Sequence, residues 1–352
     1  MYRRRMIRET ITLWRIHPGP VEIVTLALPA TIGRLPLNRM QLVDDDVSRE
    51  HAVIEDRIGK LTITDRGSRN GVYVNGRRMG VCSLSPGAVL RMGQTVLWQP
   101  ATRTQPDIEA FVSQHATTTN PLTIVGEVGA GKRTLAKRIH LQSQRKGLQL
   151  FAEFDADDAL LRAASSGTVV VTDPIDPQAL LMRAKKHLVR IVMTELKASN
   201  RADTGTFELL PLRDRVNELP QSLSKLLGTE RTWNADFLEA LACHPFPMNF
   251  AELVVVCRGM TGNAHGIEAL PHSVRAQLVE ARSAQADDTS REALHDALSR
   301  HKGNVRRISQ ELGIARGHLY RMLAAFGLNP DAYRAQSSNP AVPLREERRT
   351  QP

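Results

Sequence analysis

The chain has 352 residues, and its 47 lysines and arginines against 37 aspartates and glutamates give a formal net charge of +10. At about 100–200 residues per domain, this length predicts two or three domains. An apolar content of 41% with 24% charged residues excludes wholesale disorder. No run approaches the ~18 apolar residues of a membrane-spanning helix. The positive charge permits a polyanionic partner but does not by itself identify one.

The first residues and the cysteines predict the cellular compartment. The basic run at residues 1–8 is not followed by an apolar stretch with a small-residue cleavage site, so we expect no signal peptide. Cys82, Cys243 and Cys257 are widely spaced and odd in number, which fits neither a disulfide framework nor a zinc site. Such cysteines are typical of a reducing compartment. We therefore expect a cytoplasmic protein with no metal site and no membrane contact.

Residues 10–99 carry short β-rich runs separated by turn clusters. The predicted strands are Ile11–Trp14, Val21–Leu26, Ala52–Ile54, Lys60–Thr64, Val72–Val74 and Val96–Trp98. Asn75 and Gly76 lie between two extended segments and predict a tight hairpin, because both residue types tolerate positive φ. Short strands at close, regular spacing predict an all-β sandwich or barrel.

The rest of the chain divides by its pattern into four segments. Residues 100–120 are polar and predict a linker that is helical in part. Residues 121–262 alternate strand and helix, which predicts a parallel α/β layer, and they become mostly helical after Pro211. Residues 288–330 have helical periodicity broken by glycines. Residues 337–352 are rich in polar residues and predict a disordered tail.

Three polar clusters stand in the loops of the β-region: Gly33-Arg34, Ser48 to His51, and Gly67 to Gly71 followed by Asn75-Gly76. Turn geometry alone is one explanation, above all for the glycines and Asn75. Taken together, the spacing resembles the forkhead-associated (FHA) domain, with its Gly-Arg, Ser-x-x-His, Ser-x-Asn-Gly and final Asn-Gly. The resemblance covers nearly all of residues 10–99 and implies an eleven-stranded sandwich whose loops bind phosphothreonine peptides.

The residue types suit a dianionic phosphate. A guanidinium and a hydroxyl bind such a group by charge-assisted hydrogen bonds, and Arg34 and Ser48 supply them. The resemblance implies a further phosphate contact at Arg49, a contact of Asn70 with the peptide backbone, and a structural role for His51. Arg69 replaces a residue that is often Thr or Ser in the family. It either strengthens phosphate binding or shifts peptide preference, and the sequence leaves both open.

A glycine-rich segment, Gly126-Glu-Val-Gly-Ala-Gly-Lys132, follows a predicted strand and opens a predicted helix. This is the context of a phosphate-binding P-loop, in which backbone N–H groups, a helix N-terminus and a lysine face phosphate oxygens. Arg133 stands where the general motif has the Ser or Thr that binds Mg²⁺, and Thr134 comes one residue late. The candidate nucleotide-binding residues are Gly126, Gly129, Gly131, Lys132, Arg133, Thr134 and Asp173.

Four segments resemble the AAA+ domain of sigma-54-dependent bacterial enhancer-binding proteins. They are the P-loop with its helix to His140, the strand Ala164 to Asp173, the segment Leu210 to Pro220, and the lid segment His244 to Leu253. The core is a reduced, degenerate version of that domain. Pro174 replaces the family's catalytic Glu, and Ala251 replaces the lid arginine. The Gly-Ala-Phe-Thr-Gly-Ala loop that contacts sigma-54 is absent, and the arginines that act on a neighbour's ATP have no clear counterpart.

These departures predict a protein that is not an enzyme. Phosphoryl transfer depends on positioned charge, so we expect no meaningful ATP hydrolysis and no family-type contact with sigma-54. The sequence leaves ATP binding open: the Lys132 loop favours it, while Arg133, Pro174 and Ala251 weigh against it. A structural spacer or an oligomerisation module is the alternative for this region.

The last helical region has a helix, a glycine turn and a second helix, which is typical of a helix-turn-helix. The run from Gly303 to Leu323 closely resembles the Fis-type module that ends enhancer-binding proteins. The predicted core is Ile308, Leu312, Ile314, Leu319, Tyr320 and Leu323. The candidate DNA-binding residues are Arg306 and Arg307, which approach the backbone, and Arg316, His318 and Arg321, which lie on the recognition helix.

The predicted parts combine into a bacterial transcription regulator. Its expected partners are DNA and a phosphothreonine-containing protein, either a Ser/Thr kinase or a kinase substrate. A homo-oligomer, a dimer or larger, is expected because such modules usually read two half-sites. Two alternatives stay open: an active sigma-54-dependent ATPase, and a phospho-dependent signalling scaffold that does not regulate genes.

Overall fold

A computed structural model describes residues 8–57, 59–197, 205–262, 264–283, 288–312 and 316–335. The predicted tail at 337–352, Gly313, Ile314 and the side chain of His318 lie outside the described residues. The contacts divide the chain into two compact units. One unit contains the described residues among 1–13, 23–97 and 278–352, and the other unit contains those among 14–22 and 98–277. Among the described helices, none combines the length and apolar character needed to cross a bilayer.

The N-terminal region is a β-sandwich of two sheets. Its strands are β1 (Thr10–His17), β2 (Glu22–Ala27), β3 (Ala30–Gly33), β4 (Met40–Gln41), β5 (Ala52–Arg57), β6 (Lys60–Asp65), β7 (Val72–Val74), β8 (Arg77–Met79), β9 (Val81–Ser83), β10 (Val89–Met92) and β11 (Thr95–Trp98). The sheet orders are β2-β1-β11-β10-β7-β8 and β4-β3-β5-β6-β9. Leu13 and Leu90 from one sheet pack with Ile32 and Ile54 from the other in a single buried core. The predicted all-β region is confirmed.

The hairpin predicted at Asn75-Gly76 joins β7 to β8. Asn75 has φ +49° and Gly76 has φ +81°, a pair of left-handed residues that turns the chain within two positions. Val74 then pairs with Arg77 and Val72 with Met79. This turn brings the chain back beside the loop that contains Ser68 to Asn70.

The second region is an α/β layer. Its strands are β12 (Leu122–Val125), β13 (Gln149–Glu153), β14 (Thr168–Thr172), β15 (Arg190–Glu195) and β16 (Gly205–Glu208), and its helices are α1 (Ile108–Ala116), α2 (Lys132–Gln142), α3 (Asp158–Ala163) and α4 (Pro177–Lys186). The strands run parallel in the order β13-β14-β15-β12-β16, as the alternation predicts. Parallel strands put their carboxyl ends at one edge, so the loops after β12 and β14 meet there.

Two features of this region differ from or extend the prediction. Residues 100–120 are not only a linker, because α1 buries Val112 in the same core as Leu122 and Ile139. The α/β region therefore begins with α1. After β16 the chain is mainly helical, as predicted, through α5 (Leu219–Leu227), α6 (Ala235–Cys243), α7 (Asn249–Arg258) and α8 (His272–Ser283), with the two-residue strands β17 (Thr232–Trp233) and β18 (Ala264–His265).

The C-terminal region contains four helices, α9 (Asp288–Arg300), α10 (Val305–Leu312), α11 (Arg316–Ala325) and α12 (Pro330–Ala335). Asn304 caps α10, since its Oδ1 accepts a hydrogen bond from the Arg307 N–H at 3.2 Å. Ile308, Leu312, Leu319 and Leu323 are buried together, as predicted. The prediction that Tyr320 is a core residue is wrong: its side chain is 53% exposed, because it lies on the outer face of α11.

Candidate functional site

The loops at one end of the β-sandwich bring three arginines around Ser48. The Arg34 N–H donates to the Ser48 carbonyl at 3.0 Å, and the Arg69 N–H donates to the Ser48 hydroxyl at 3.0 Å. Arg49 is the next residue along the chain, and all three arginines are exposed. The Arg34 side chain is 46% exposed and lies 3.9 Å from the exposed Asp45 carboxylate. An ion pair this long and exposed is weak, so the guanidinium remains available to an anion.

His51 holds two of these loops together. The ring is fully buried, the Ser48 N–H donates to its Nδ1 at 3.0 Å, and its Nε2 bonds the Gly71 carbonyl at 3.1 Å. Because Nδ1 accepts, Nε2 carries the proton and donates. Burial lowers the pKa of His51, which keeps the ring in this neutral form. The contacts agree with the structural role that the resemblance implies.

The loop between β6 and β7 is fixed by Asp65 and Ser68. The Asp65 Oδ1 accepts hydrogen bonds from the N–H groups of Gly67 at 3.0 Å and Ser68 at 2.7 Å. The buried Ser68 hydroxyl accepts one from the Gly71 N–H at 2.9 Å. These bonds present Arg69 and Asn70 on a braced turn.

Asn70 already has a partner inside the protein. Its Nδ2 donates to the Asp46 carbonyl at 2.8 Å, which ties the loop of Arg69 to the loop of Ser48. Asp46 therefore holds the Asn70 amide in one orientation. The arrangement as a whole combines guanidinium groups, a hydroxyl and an oriented amide at one sandwich end, the set of donors that a phosphorylated peptide requires.

The glycine-rich segment forms a loop between β12 and the start of α2, as predicted. Gly129 has φ +73°, and a Cβ there would lie 2.0 Å from the Met248 carbonyl, so only glycine fits. The Lys132 Nζ donates to the carbonyls of Gly126 at 2.6 Å and Glu127 at 2.9 Å. Burial lowers the pKa of Lys132. A cavity of about 540 Å³ adjoins the loop, with Lys132, Arg133, Thr134 and Asp173 among its lining residues.

Residues from distant segments brace this loop, and sequence reasoning did not identify them as parts of the site. Arg213 forms a two-pronged ion pair with Glu127, at 2.9 and 2.5 Å, and this hydrogen bonding lowers the pKa of Glu127. Arg215 is buried and donates to the Ala130 carbonyl at 2.9 Å. Asn249 donates to the Val128 carbonyl at 2.9 Å. The only sequence signal was that these residues lie in the two segments resembling AAA+ motifs.

The cavity fits phosphate better than it fits a divalent metal ion. Its backbone loop, helix N-terminus and lysine suit phosphate oxygens. At the position of the usual metal-binding hydroxyl, Arg133 instead donates to the Thr172 hydroxyl at 3.4 Å and to the Glu153 carboxylate at 3.3 Å. Asp173, at the end of β14, is the one carboxylate among the described residues that line the cavity. The Arg133 guanidinium in the same cavity lining disfavours a divalent cation.

The C-terminal helices expose a basic surface. Arg306 and Arg307 lie exposed on α10, and Arg316 and Arg321 lie exposed on α11, whereas Leu319 and Leu323 point inward. Four of the five predicted DNA-binding residues therefore lie on the outer faces of two successive helices. The side chain of the fifth, His318, is outside the described part.

Comparison with known proteins identifies the first region. Residues 30–93 match the FHA domain family, so the chain contains an FHA domain. Over 240 residues the chain is 24% identical to the propane 2-monooxygenase operon transcriptional activator MimR of Mycolicibacterium smegmatis. This match covers 59% of this chain and 41% of MimR. The chain therefore spans less than half the length of this relative.

Two solved structures are also similar over parts of the chain. NtrX from Brucella abortus in complex with ATP is 18% identical, with a TM-score of 0.41, over 65% of this chain and 70% of the NtrX chain. EmbR from Mycobacterium tuberculosis in complex with a low-affinity phosphopeptide is 31% identical, with a TM-score of 0.25, over 28% of this chain and 26% of the EmbR chain.

Proposed function

We propose that this protein is a bacterial transcription regulator that binds phosphothreonine peptides through its FHA domain and specific DNA through a Fis-type helix-turn-helix. The observation that carries the proposal is the cluster of exposed Arg34, Arg49 and Arg69 around Ser48, within a region that matches the FHA family. The exposed arginines of α10 and α11 support the DNA-binding part. The similarity to a transcriptional activator supports the assignment as a transcription regulator.

The proposed partners follow from this chemistry. The peptide ligand is a Ser/Thr kinase product, either on a kinase or on its substrate. DNA is bound by a dimer or larger oligomer, because a single helix-turn-helix reads only one half-site. The region between them is an AAA+-like core that neither hydrolyses ATP nor contacts sigma-54.

Phosphopeptide binding is tested by replacing Arg34. We expect Arg34→Ala to weaken binding of a phosphothreonine peptide by about tenfold or more, because a charged hydrogen bond to the phosphate is lost. The measurement is fluorescence anisotropy with a degenerate phosphothreonine peptide library. Lys60→Ala is the control, since Lys60 is an exposed cation at the opposite end of β6 from the Asp65 loop. Equal binding by Arg34→Ala and the parent would contradict the proposal.

The absence of ATP hydrolysis is tested by phosphate release. A hydrolase needs a residue that orients the attacking water, and Asp173 is followed by Pro174 at the edge of the cavity. We expect no phosphate release above the protein-free background, and the same result for Lys132→Ala and for Lys137→Ala, an exposed lysine on α2 that serves as the control. Turnover that only Lys132→Ala abolishes would favour a sigma-54-activating ATPase instead.

A further inference from the structure

The C-terminal helices do not form their apolar core alone. Val81 of strand β9 is 1% exposed and belongs to the same buried cluster as Leu294, Leu298 and Met322. Helix α9 packs against β9. Strand β9 lies at the edge of the five-stranded sheet, and because its Cys82 belongs to the sandwich core, Val81 lies on the opposite face of the strand, where the helices pack. Within this compact unit, Val81 of the FHA domain completes the apolar core of the C-terminal helices, while the core of the sandwich forms a separate cluster.

Two further contacts extend this interface. A Cβ added to Gly80 would lie 2.0 Å from the Met322 Cε, so the Met322 side chain rests directly on the Gly80 backbone. The Arg57 Nη2 donates to the Glu311 carbonyl at 3.4 Å. The interface therefore joins β5, Gly80 and β9 of the FHA domain to α9, α10 and α11.

A short series of hydrogen bonds links Gly80 to the loops that contain Arg69 and Ser48. The Gly80 carbonyl accepts a hydrogen bond from the Asp65 N–H at 2.8 Å. The Asp65 side chain in turn anchors the N–H groups of Gly67 and Ser68. The next residue, Arg69, donates its N–H to the Ser48 hydroxyl. The turn that presents Arg69 is therefore anchored by Asp65, whose N–H is bonded to the residue under Met322.

The same helix that rests on Gly80 carries candidate DNA-binding residues. On α11, Leu319 and Met322 are buried, whereas Arg316 and Arg321 are exposed. The docked arrangement therefore leaves the arginines open to DNA while it fixes the opposite face of their helix. A ligand that changes how the buried face of α11 packs against the FHA domain therefore also changes the positions of Arg316 and Arg321.

We propose that Gly80 and strand β9 are a docking surface for the C-terminal helices of the same chain, and that this surface couples phosphopeptide binding to DNA binding. The coupling rests on the proposed function, but the docking does not. Because coupling free energy is reciprocal, the phosphopeptide changes DNA affinity by the same factor by which DNA changes phosphopeptide affinity.

The test uses the full chain with Gly80→Glu, which places a charge under Met322. The φ of Gly80 is not left-handed, and the three atoms nearest to the added Cβ all belong to Met322, so the substitution acts on the interface. Ser83→Glu is the matched control, because Ser83 is an exposed residue of the same strand. A second variant, Met322→Ala, removes the contact from the helix side.

The first measurement needs no ligand. In hydrogen–deuterium exchange, Gly80→Glu and Met322→Ala are expected to accelerate exchange in α9 and α11 relative to the parent and Ser83→Glu, while exchange in β12 to β15 stays unchanged. Equal exchange in the parent and both interface variants would overturn the docking.

The second measurement is the affinity for DNA enriched from random-sequence oligonucleotides, with and without a phosphothreonine peptide from the degenerate library. In the parent and in Ser83→Glu we expect the peptide to change this affinity by about fivefold or more, and in Gly80→Glu we expect no change. A peptide that leaves parent affinity unchanged, or that acts equally on Gly80→Glu, would overturn the coupling. Failure of the parent to bind either ligand contradicts the proposed function instead, and the exchange measurement still decides the docking.

Discussion

At the scale of single residues, His51 shows how burial and hydrogen bonding select one chemical form. A neutral imidazole has one donor and one acceptor nitrogen, which matches the Gly71 carbonyl and the Ser48 N–H that it meets. A protonated ring would place a second N–H against the Ser48 N–H. The two hydrogen bonds by which His51 connects the loops of Ser48 and Gly71 therefore require the neutral ring.

The protonation of His51 gives a pH prediction. Burial lowers its pKa from the ordinary value of 6.5, so below that pH the unfolded chain binds more protons than the folded chain. We expect its contribution to the free energy of unfolding to be complete above pH 6.5 and to decline as the pH falls toward the lowered pKa. NMR titration of the ring protons provides the check, and a midpoint at or above 6.5 would contradict this account.

The candidate phosphate-binding residues could be predicted from the sequence, but their bonds could not. Arg34, Ser48 and Asn70 stand at fixed spacings in a recognisable pattern. The donation of the Asn70 amide to Asp46 depends on how two loops pack, which no spacing encodes. The same holds for Arg213, which pairs with Glu127 across 86 positions of sequence.

At the scale of elements, strands and helices are predicted best where the spacing of apolar residues and the residue types of the adjoining turns indicate the same structure. The hairpin at Asn75-Gly76 and the strand–loop–helix around Lys132 follow from local residues alone. Strand β9 was not among the predicted strands, because Val81–Ser83 is only three residues long and is held by pairing with β6. Tyr320 follows the apolar period of α11 but lies on the exposed face.

Helix α11 gives a prediction about Gly317. Nothing lies within 4 Å of a Cβ added there, so Gly317→Ala has no steric cost and is expected to stabilise the helix by about 0.5–1 kcal/mol. If the glycine serves close approach to DNA, the same variant binds DNA more weakly. Hydrogen exchange in α11 and DNA affinity are measured together. A more stable helix with unchanged DNA affinity would leave the glycine without a role in binding.

At the scale of the whole molecule, the net charge of +10 includes two groups of exposed arginines, which we propose bind two chemically different anions. In the FHA domain, Arg34, Arg49 and Arg69 are exposed on the loops that meet at Ser48, an arrangement suited to a single phosphate group on a peptide. On α10 and α11, exposed arginines follow helix faces, a geometry suited to the repeating phosphates and base edges of DNA. The sequence predicted both groups of arginines but not the packing of Val81 in the cluster of the C-terminal helices, because Val81 and Met322 are 241 positions apart.

DNA recognition by α11 is the central claim, and DNA selection with the full chain tests it most directly. We expect the parent to enrich a defined sequence from random oligonucleotides. We expect Arg316→Ala to weaken binding to that sequence by about 1–3 kcal/mol, with a shallower salt dependence if the arginine contacts a phosphate. Arg258→Ala, an exposed arginine of α7, is expected to bind as the parent does. No enriched sequence, or unchanged affinity and salt dependence in Arg316→Ala, would contradict the account.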